Sequence, residues 1–499
     1  MTQAFSRRVF LGTGLAALAA PALAGPPATS LRPVARPAHG AGRLAARGVP
    51  AAEALISSAD LSGQVGYALV DPTTGTVLEE GNGAAALPAA SVTKTVTALY
   101  ALDTLGADHR FETRLLATGP VENGVLRGDL VLAGGGDPTL DTNALAGMAA
   151  GLKTAGLREV RGRFLLWGGA VPFRRAIDET QPEHAGYNPA LSGLCLNYNR
   201  VHFEWKRQGG RYAISMDARS DRYRPDVTVA RMRVAERAAP VYVYSDGGAR
   251  DEWSVARAAL GNGGARWLPV RKPELYAGEV LATFARAQGI ALPRPAVMTG
   301  TPSGTVLARH RSAPLAEILR DMLRHSTNLT AEMAGLAASA RRAGRAVPLG
   351  QSAAMMNAWA AASLGMSAAA LRDHSGLSDR SRLTATDLAR GLAGARRVAL
   401  LRPLLRAFEL RDAQGRVLRN HPVQVQAKTG TLYFVSTLAG YIRTPGGKDL
   451  AFAIFTASDS LRARIDPQAD ARPPGARSWN RRAKTLQQAL IERWSAVYG

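Results

Sequence analysis

The spacing of hydrophobic positions changes several times along the chain. Across residues 63–78, two short apolar runs flank Asp71-Pro72-Thr73-Thr74-Gly75, a strong turn signal, so the stretch predicts a β-hairpin. Residues 91–105 carry Val92, Thr93, Val96, Leu99, Tyr100 and Leu102 with no Gly or Pro, which predicts a helix. Residues 128–132, 201–205 and 241–244 predict strands, with Gly and Asp clustered between them, as in Gly134-Gly135-Gly136-Asp137-Pro138. The region from about 110 to 300 is therefore expected to be β-rich with helices interspersed, one of them over 279–287. From about 305 to 410 the pattern is mainly helical, and 424–457 holds three strand-like runs with a turn at Thr444-Pro445-Gly446-Gly447. Residues 478–497 predict an amphipathic helix. Leu486, Leu490, Trp494 and Val497 lie on one face, and Arg481, Arg482 and Lys484 on the other. Packing on a sheet is the expectation for this helix, with a membrane-surface helix as the alternative. No internal repeat is visible.

Composition places the chain among ordinary globular proteins. Its 499 residues are 46% hydrophobic and 20% charged, a length that suggests roughly two to four domains. The net charge of +23, from 62 basic and 39 acidic residues, favours anionic partners such as nucleic acid, anionic lipid or an acidic polymer. The basic residues are scattered, so a generally basic surface or an anionic wall or membrane are the readings retained. Ser6-Arg7-Arg8-Val9-Phe10-Leu11, an uncharged apolar stretch over 9–20 and the small-residue site Pro21-Ala22-Leu23-Ala24 together read as a twin-arginine signal peptide over 1–24. The apolar stretch is shorter than the roughly 20 residues of a membrane span, so a protein released into the periplasm is expected and nucleic acid drops out as a partner. Residues 25 to about 48, rich in Pro, Ala, Gly and Arg, read as a tether. Cys195 is the sole cysteine, which excludes an intramolecular disulfide and points to a buried, inert thiol.

Three short motifs carry the chemistry: Ser91-Val92-Thr93-Lys94, Ser326-Thr327-Asn328 and Lys428-Thr429-Gly430. Each is common alone; in this order they form a specific signal. At i and i+3 of a helix, Ser91 and Lys94 share one face. A seryl hydroxyl is a weak nucleophile until a base takes its proton. Lys94 can serve if burial and a second cation, such as Lys428, lower its pKa. A helix N-terminus also offers backbone N–H groups to a developing oxyanion. Ser326 and Asn328 precede a predicted helix start, where they could relay a proton to the leaving amine and hold the substrate amide. The competing reading is a plain N-cap. Gly430 permits close approach of a ligand to an edge strand. Lys428, Thr429 and Thr431 could bind a terminal carboxylate, and the N–H of Thr431 could be a second oxyanion donor. There is no Gly-x-Ser-x-Gly elbow, Walker A loop or His-Glu-x-x-His, and the eight histidines show no metal-ligand spacing.

With these motifs the sequence resembles the penicillin-recognising serine transferases, and among them the low-molecular-mass class C penicillin-binding proteins, the D-Ala-D-Ala carboxypeptidase/endopeptidase type. Lys94 and Ser326 lie 232 positions apart, room for the domains which that family inserts there and single-domain β-lactamases lack. Pro88-Ala89-Ala90, Gly134-Gly135-Gly136-Asp137-Pro138-Thr139-Leu140 and His374-Ser375-Gly376-Leu377-Ser378 also resemble family segments, with His374 standing where the family has Gly. Residues 165–195 match poorly. There Phe173 and Asp178 loosely resemble a segment thought to meet the stem peptide's side-chain amine, which makes Asp178 a weak substrate-binding candidate.

The resemblance implies an α/β fold with a transpeptidase/β-lactamase-like core, a five-stranded antiparallel sheet flanked by helices, and two mostly β inserted domains. The implied layout is a signal over 1–24, a linker over 25–45, a catalytic domain of 46–108 and 303–499, one inserted domain of 109–126 and 187–302, and another of 127–186. It also implies acylation of Ser91 by peptidoglycan stem peptides and by β-lactam antibiotics, with no cofactor and no metal. Rival readings are a β-lactamase-like hydrolase or D-amino-acid peptidase on the same core, and a catalytically silent wall-binding protein.

Overall fold

The computed structural model describes residues 48–412, 414–466 and 472–499. The signal and linker readings over 1–45 lie outside these residues.

The described chain begins with helix α1 (Ala52–Ser58) and the hairpin β1 (Gln64–Val70) and β2 (Val77–Gly81). The turn between the strands closes where the sequence signals it: Asp71 and Thr76 exchange a backbone hydrogen bond, and the Asp71 carboxylate accepts from the Thr73 N–H. A one-turn 3-10 helix over Ala90–Val92 then leads into α2 (Thr93–Leu105). The first ten residues of α2 are buried on every side, which marks it as the central helix of the core rather than a surface one.

The chain then leaves the core. It forms β3 (Glu112–Ala117), β4 (Leu130–Gly134), α3 (Thr142–Thr154), β5 (Phe164–Trp167), β6 (Arg200–Gln208), β7 (Arg211–Asp217), β8 (Ala230–Ala235), β9 (Tyr242–Asp246), β10 (Asp251–Ala256), β11 (Gly263–Pro269), α4 (Pro273–Ala287), β12 (Pro295–Val297) and β13 (Thr305–Arg311). The α4 helix starts before the expected 279 because Pro273 occupies its first turn, where a missing N–H is harmless. Strand β13 falls where helix was expected; Arg309, His310 and Arg311 mask its alternation. Five of these strands form one mixed sheet in the order β12-β5-β4-β3-β13, and two three-stranded sheets, β7-β6-β11 and β8-β10-β9, stand beside it. A single apolar cluster runs through Leu132, Leu145, Phe164, Phe203, Trp253, Tyr276 and Leu281. The strands of 109–126, 127–186 and 303–311 thus share one sheet, and the inserted segments share one core.

The chain departs and returns side by side. The N–H groups of Leu315 and Ala316 bond the carbonyls of His109 and Ala107, at 2.8 and 3.0 Å. Back in the core are α5 (Leu315–His325), α6 (Asn328–Ala343), α7 (Leu349–Leu364), α8 (Ala385–Leu392), the strands β14 (Gln424–Leu432), β15 (Val435–Arg443) and β16 (Asp449–Ala457), and α9 (Ala476–Tyr498). The main sheet runs β14-β15-β16-β1-β2, antiparallel throughout, with the two-residue strand Arg406–Ala407 added outside β14. Helices cover both faces: α2, α5, α6 and α8 belong to one apolar cluster, and α9 to another. Leu486, Leu490 and Trp494 are buried in that second cluster beside Leu438, Phe452 and Ile454. This decides between the two readings of the helix: its apolar face is covered by the sheet and is not presented to a membrane.

Candidate active site

Ser91 sits in the 3-10 turn, one residue after Ala90, whose φ is +47°. That left-handed conformation is costly for a residue with a Cβ and is held by close neighbours. A Cβ on Gly376 would lie 1.8 Å from the Ala90 carbonyl oxygen, and a Cβ on Gly430 would lie 2.9 Å from the Ser91 nitrogen. Glycine at 430 therefore lets β14 run directly past the Ser91 backbone.

The Lys94 side chain is fully buried in the first turn of α2. Its Nζ lies 3.0 Å from Ser91 Oγ, 2.8 Å from Asn328 Oδ1 and 2.8 Å from the Ser375 carbonyl oxygen. Burial pulls its pKa down to about 8, against the opposing pull of Glu332 and Asp373. Lys428 also falls well below the usual lysine range, through burial, then through the charge of Lys94 and of Arg406; the repulsion between the two amines is mutual, so each disfavours the charged form of the other.

Ser326 and Asn328 do not cap a helix through their side chains. Ser326 ends α5 in a left-handed conformation, φ +58°, and Asn328 is the first residue of α6. This abrupt joint turns both side chains into the cleft. Ser326 Oγ accepts a hydrogen bond from Lys428 Nζ at 3.0 Å, and Asn328 Nδ2 donates to the carbonyl oxygen of Tyr187 at 3.1 Å. Strand β14 pairs with β15 along its length, but the outer two-residue strand covers only Ala427 and Gln426. The edge from Lys428 to Thr431 is left open for an extended ligand. Ser91, Tyr187, Ser326, Asn328, Gly376 and Thr431 line one cleft.

Several participants carry no sequence signature. Glu332, one turn along α6 from Asn328, accepts the N–H groups of His374 and Ser375 at 3.0 and 2.9 Å. It thereby holds the backbone on the N-terminal side of the Ser375 carbonyl that meets Lys94. Asp373 accepts the N–H groups of Gly376 and Ser378. Burial, together with the like charge of Asp373, raises the Glu332 pKa. The unexpected His374 fills space over Gly335, where any Cβ would collide with the imidazole at 2.2 Å. Its Nε2 meets Ser352 Oγ at 2.7 Å, and burial depresses its pKa to about 3, so the ring is neutral and structural. The Asp178 carboxylate accepts both the N–H and the hydroxyl of Thr180, at 2.9 and 2.8 Å, and lies outside the lining of the cleft. Cys195 is fully buried with its thiol pushed up to about 12. Among the described residues one group with metal-binding geometry occurs, His202, Glu204 and Asp217. Arg219 already occupies both of its carboxylates, and no residue of this group lines the cleft.

The model of the D-Ala-D-Ala carboxypeptidase 3 (S13) family matches residues 51–471. The D-alanyl-D-alanine carboxypeptidase of Actinomadura sp. (strain R39) is 30% identical over 461 residues, 83% of this chain and 82% of that protein. The crystal structure of penicillin binding protein 4 from Haemophilus influenzae superposes with a TM-score of 0.73 at 20% identity, covering 89% of this chain and all (100%) of that one. A structure of the same protein complexed with a β-lactam gives a TM-score of 0.69, again at 20% identity and 89% and 100% coverage.

Proposed function

The chain belongs to the D-Ala-D-Ala carboxypeptidase 3 (S13) family, and from that premise we propose that Ser91 is its acylating nucleophile and Lys94 the base that activates it. The activity is that of a serine-type D-Ala-D-Ala carboxypeptidase acting on peptidoglycan stem peptides, and β-lactams bind in the same cleft.

The hydrogen bonding of Lys94 carries this reading. A neutral amine has two N–H donors and one lone pair. The Asn328 Oδ1 and Ser375 carbonyl oxygens can only accept, so they take the two donors. The lone pair is then left for the third neighbour, the Ser91 hydroxyl. As Ser91 Oγ attacks the carbonyl carbon of the penultimate D-Ala, its proton passes to Lys94 Nζ. The tetrahedral oxyanion forms against the N–H groups of Ser91 and Thr431. When the C–N bond breaks, the leaving amine takes a proton through Ser326, whose oxygen accepts from Lys428 and whose own O–H remains free to donate. The terminal carboxylate binds Thr429 and Thr431 beside Lys428, and its negative charge favours the ammonium form of that side chain. Water then cleaves the acyl ester and restores Ser91. The same steps on a D-Ala–diaminopimelate bridge would give endopeptidase activity, which product analysis on purified muropeptides would detect. Ser6-Arg7-Arg8 and the apolar stretch behind it support twin-arginine export and a periplasmic site of action.

A fluorescent penicillin followed by peptide mass analysis tests the assignment. One covalent adduct is expected at Ser91 and none in Ser91→Ala. Labelling that persists in Ser91→Ala would overturn it, and rapid turnover of the penicillin would favour a β-lactamase-like hydrolase.

A further inference from the structure

One loop of the insert, residues 174–191, reaches the catalytic centre through Tyr187. Residues 174–191 leave and rejoin the fold at a two-residue neck, where Arg174 and Leu191 exchange backbone hydrogen bonds at 3.1 and 2.8 Å. Between them the chain folds on itself as an Ω-loop: the Asn188 side chain bonds both the N–H and the carbonyl of Asp178. Arg271, just beyond β11, pushes its guanidinium into this loop. The residue is only 2% exposed. Its Nη1 donates to the carbonyls of Arg175 and Asn188, both at 2.8 Å, and its Nη2 donates to the carbonyl of Glu183 at 2.9 Å. The Glu183 carboxylate bridges Arg271 and Arg175, and Asp251 accepts the Arg271 N–H while Tyr244 donates to its other oxygen. The residue preceding Asn188 is Tyr187, whose carbonyl receives Asn328 Nδ2.

We propose that Arg271 is a positioning residue for the reaction: by clamping the 174–191 loop it fixes the Tyr187 carbonyl, and that carbonyl fixes which end of the Asn328 amide faces Lys94. With Nδ2 anchored to Tyr187, Oδ1 must face Lys94, and the second N–H of the amide stays available to substrate. A loosened loop lets the amide turn over. An N–H then points at the Lys94 lone pair and competes with Ser91 for it. The other charged groups around Lys94, namely Glu332 on α6, Asp373 in the following loop and Lys428 on β14, are untouched by this change. The inference rests on Lys94 acting as the base. A Lys94→Ala variant that labels Ser91 at the wild-type rate would defeat that premise, a result distinct from any outcome at Arg271.

The test measures the rate of Ser91 acylation by a fluorescent penicillin against pH in the full-length wild type, in Arg271→Lys and in Glu183→Gln. Lysine keeps the charge but cannot hold three carbonyls from one planar fork. In Arg271→Lys the alkaline plateau should fall about tenfold, with labelling still reaching one adduct per molecule. The midpoint of the acid limb should shift to lower pH, because an amide N–H stabilises the neutral amine. Glu183→Gln, at a half-exposed position, should move both quantities the same way by less, and it decides the matter if Arg271→Lys does not fold. A loss of folded protein alone would lower the labelled fraction and leave the midpoint in place. An unchanged plateau, or a reduced plateau with an unmoved midpoint, overturns the proposal.

Discussion

A primary amine buried among three oxygens has a fixed orientation, and Lys94 shows what that fixes. As an ammonium it donates to Ser91, Asn328 and Ser375 at once, and Ser91 stays an alcohol. Only after one proton leaves does a lone pair face the hydroxyl. The pKa of about 8 therefore sets the acid limb of the rate: acylation should be slow at pH 6, rise through pH about 8 and level off above it. Single-turnover acylation across this range checks the prediction. Lys94→Ala should lose on the order of 10²–10⁴-fold in rate together with the limb itself. At this scale the sequence was informative wherever chemistry resides in a side chain, as in the three motifs. It was silent on the carbonyls of Ser375 and Tyr187, because any residue supplies a carbonyl and only the fold decides where it points. Glu332 lies between these cases: a carboxylate four positions after Asn328 shares its helical face, but its purpose appears only once the 373–378 loop is seen docked on it. Asp178 differs from these, a carboxylate of which one oxygen is bonded within its own turn, by the N–H and the hydroxyl of Thr180.

Elements that bury one face were legible from their periodicity. The hairpin of β1 and β2, the three strands β14 to β16 and the final helix stand where the apolar pattern puts them. Strand β13 and the early start of α4 were missed for opposite reasons, the one because charged residues hide its alternation, the other because proline can begin a helix as well as end one. The final helix binds the sheet through Trp494, which is fully buried with its ring centroid 6.0 Å from those of Tyr67 and Phe452. Its indole N–H donates to Glu79 at 3.2 Å. Trp494→Ala should cost about 3–5 kcal/mol, read as a lowered denaturant midpoint with little change in slope. Arg481→Ala, on the exposed face, should stay within about 0.5 kcal/mol.

At the scale of the whole molecule the insert and the core meet across an apolar seam. Val171, Ile177, Leu191 and Cys195 on one side pack with Leu329, Met333, Leu336 and Leu377 on the other. Met333 and Leu329 lie on the helix that Asn328 begins, so the seam and the Asn328 amide share one rigid element. Cys195 reports on this contact because its thiol is buried and strongly protonated. A thiol reagent should leave it unmodified in the native protein, and Met333→Ala should speed its modification at least about tenfold while slowing Ser91 acylation. Equal rates in the two proteins would mean that the seam does not gate the thiol. The existence of an insert was legible from the long interval between the first two motifs. Its internal topology was not, because its sheet pairs strands far apart in the chain with few residues each. The main sheet has a further consequence, one of timing. Strand β1 lies between β2 and β16, with Val65 opposite Thr456, so the strand made early closes the sheet only against a strand made about 390 residues later. At ribosomal speeds of about 5–20 residues per second, Ser91 and Lys94 wait on the order of tens of seconds for β14 to emerge. The nascent chain thus carries Ser91 and Lys94 without their neighbouring strand until β14 emerges, and only then does Gly430 come to lie against the Ser91 nitrogen.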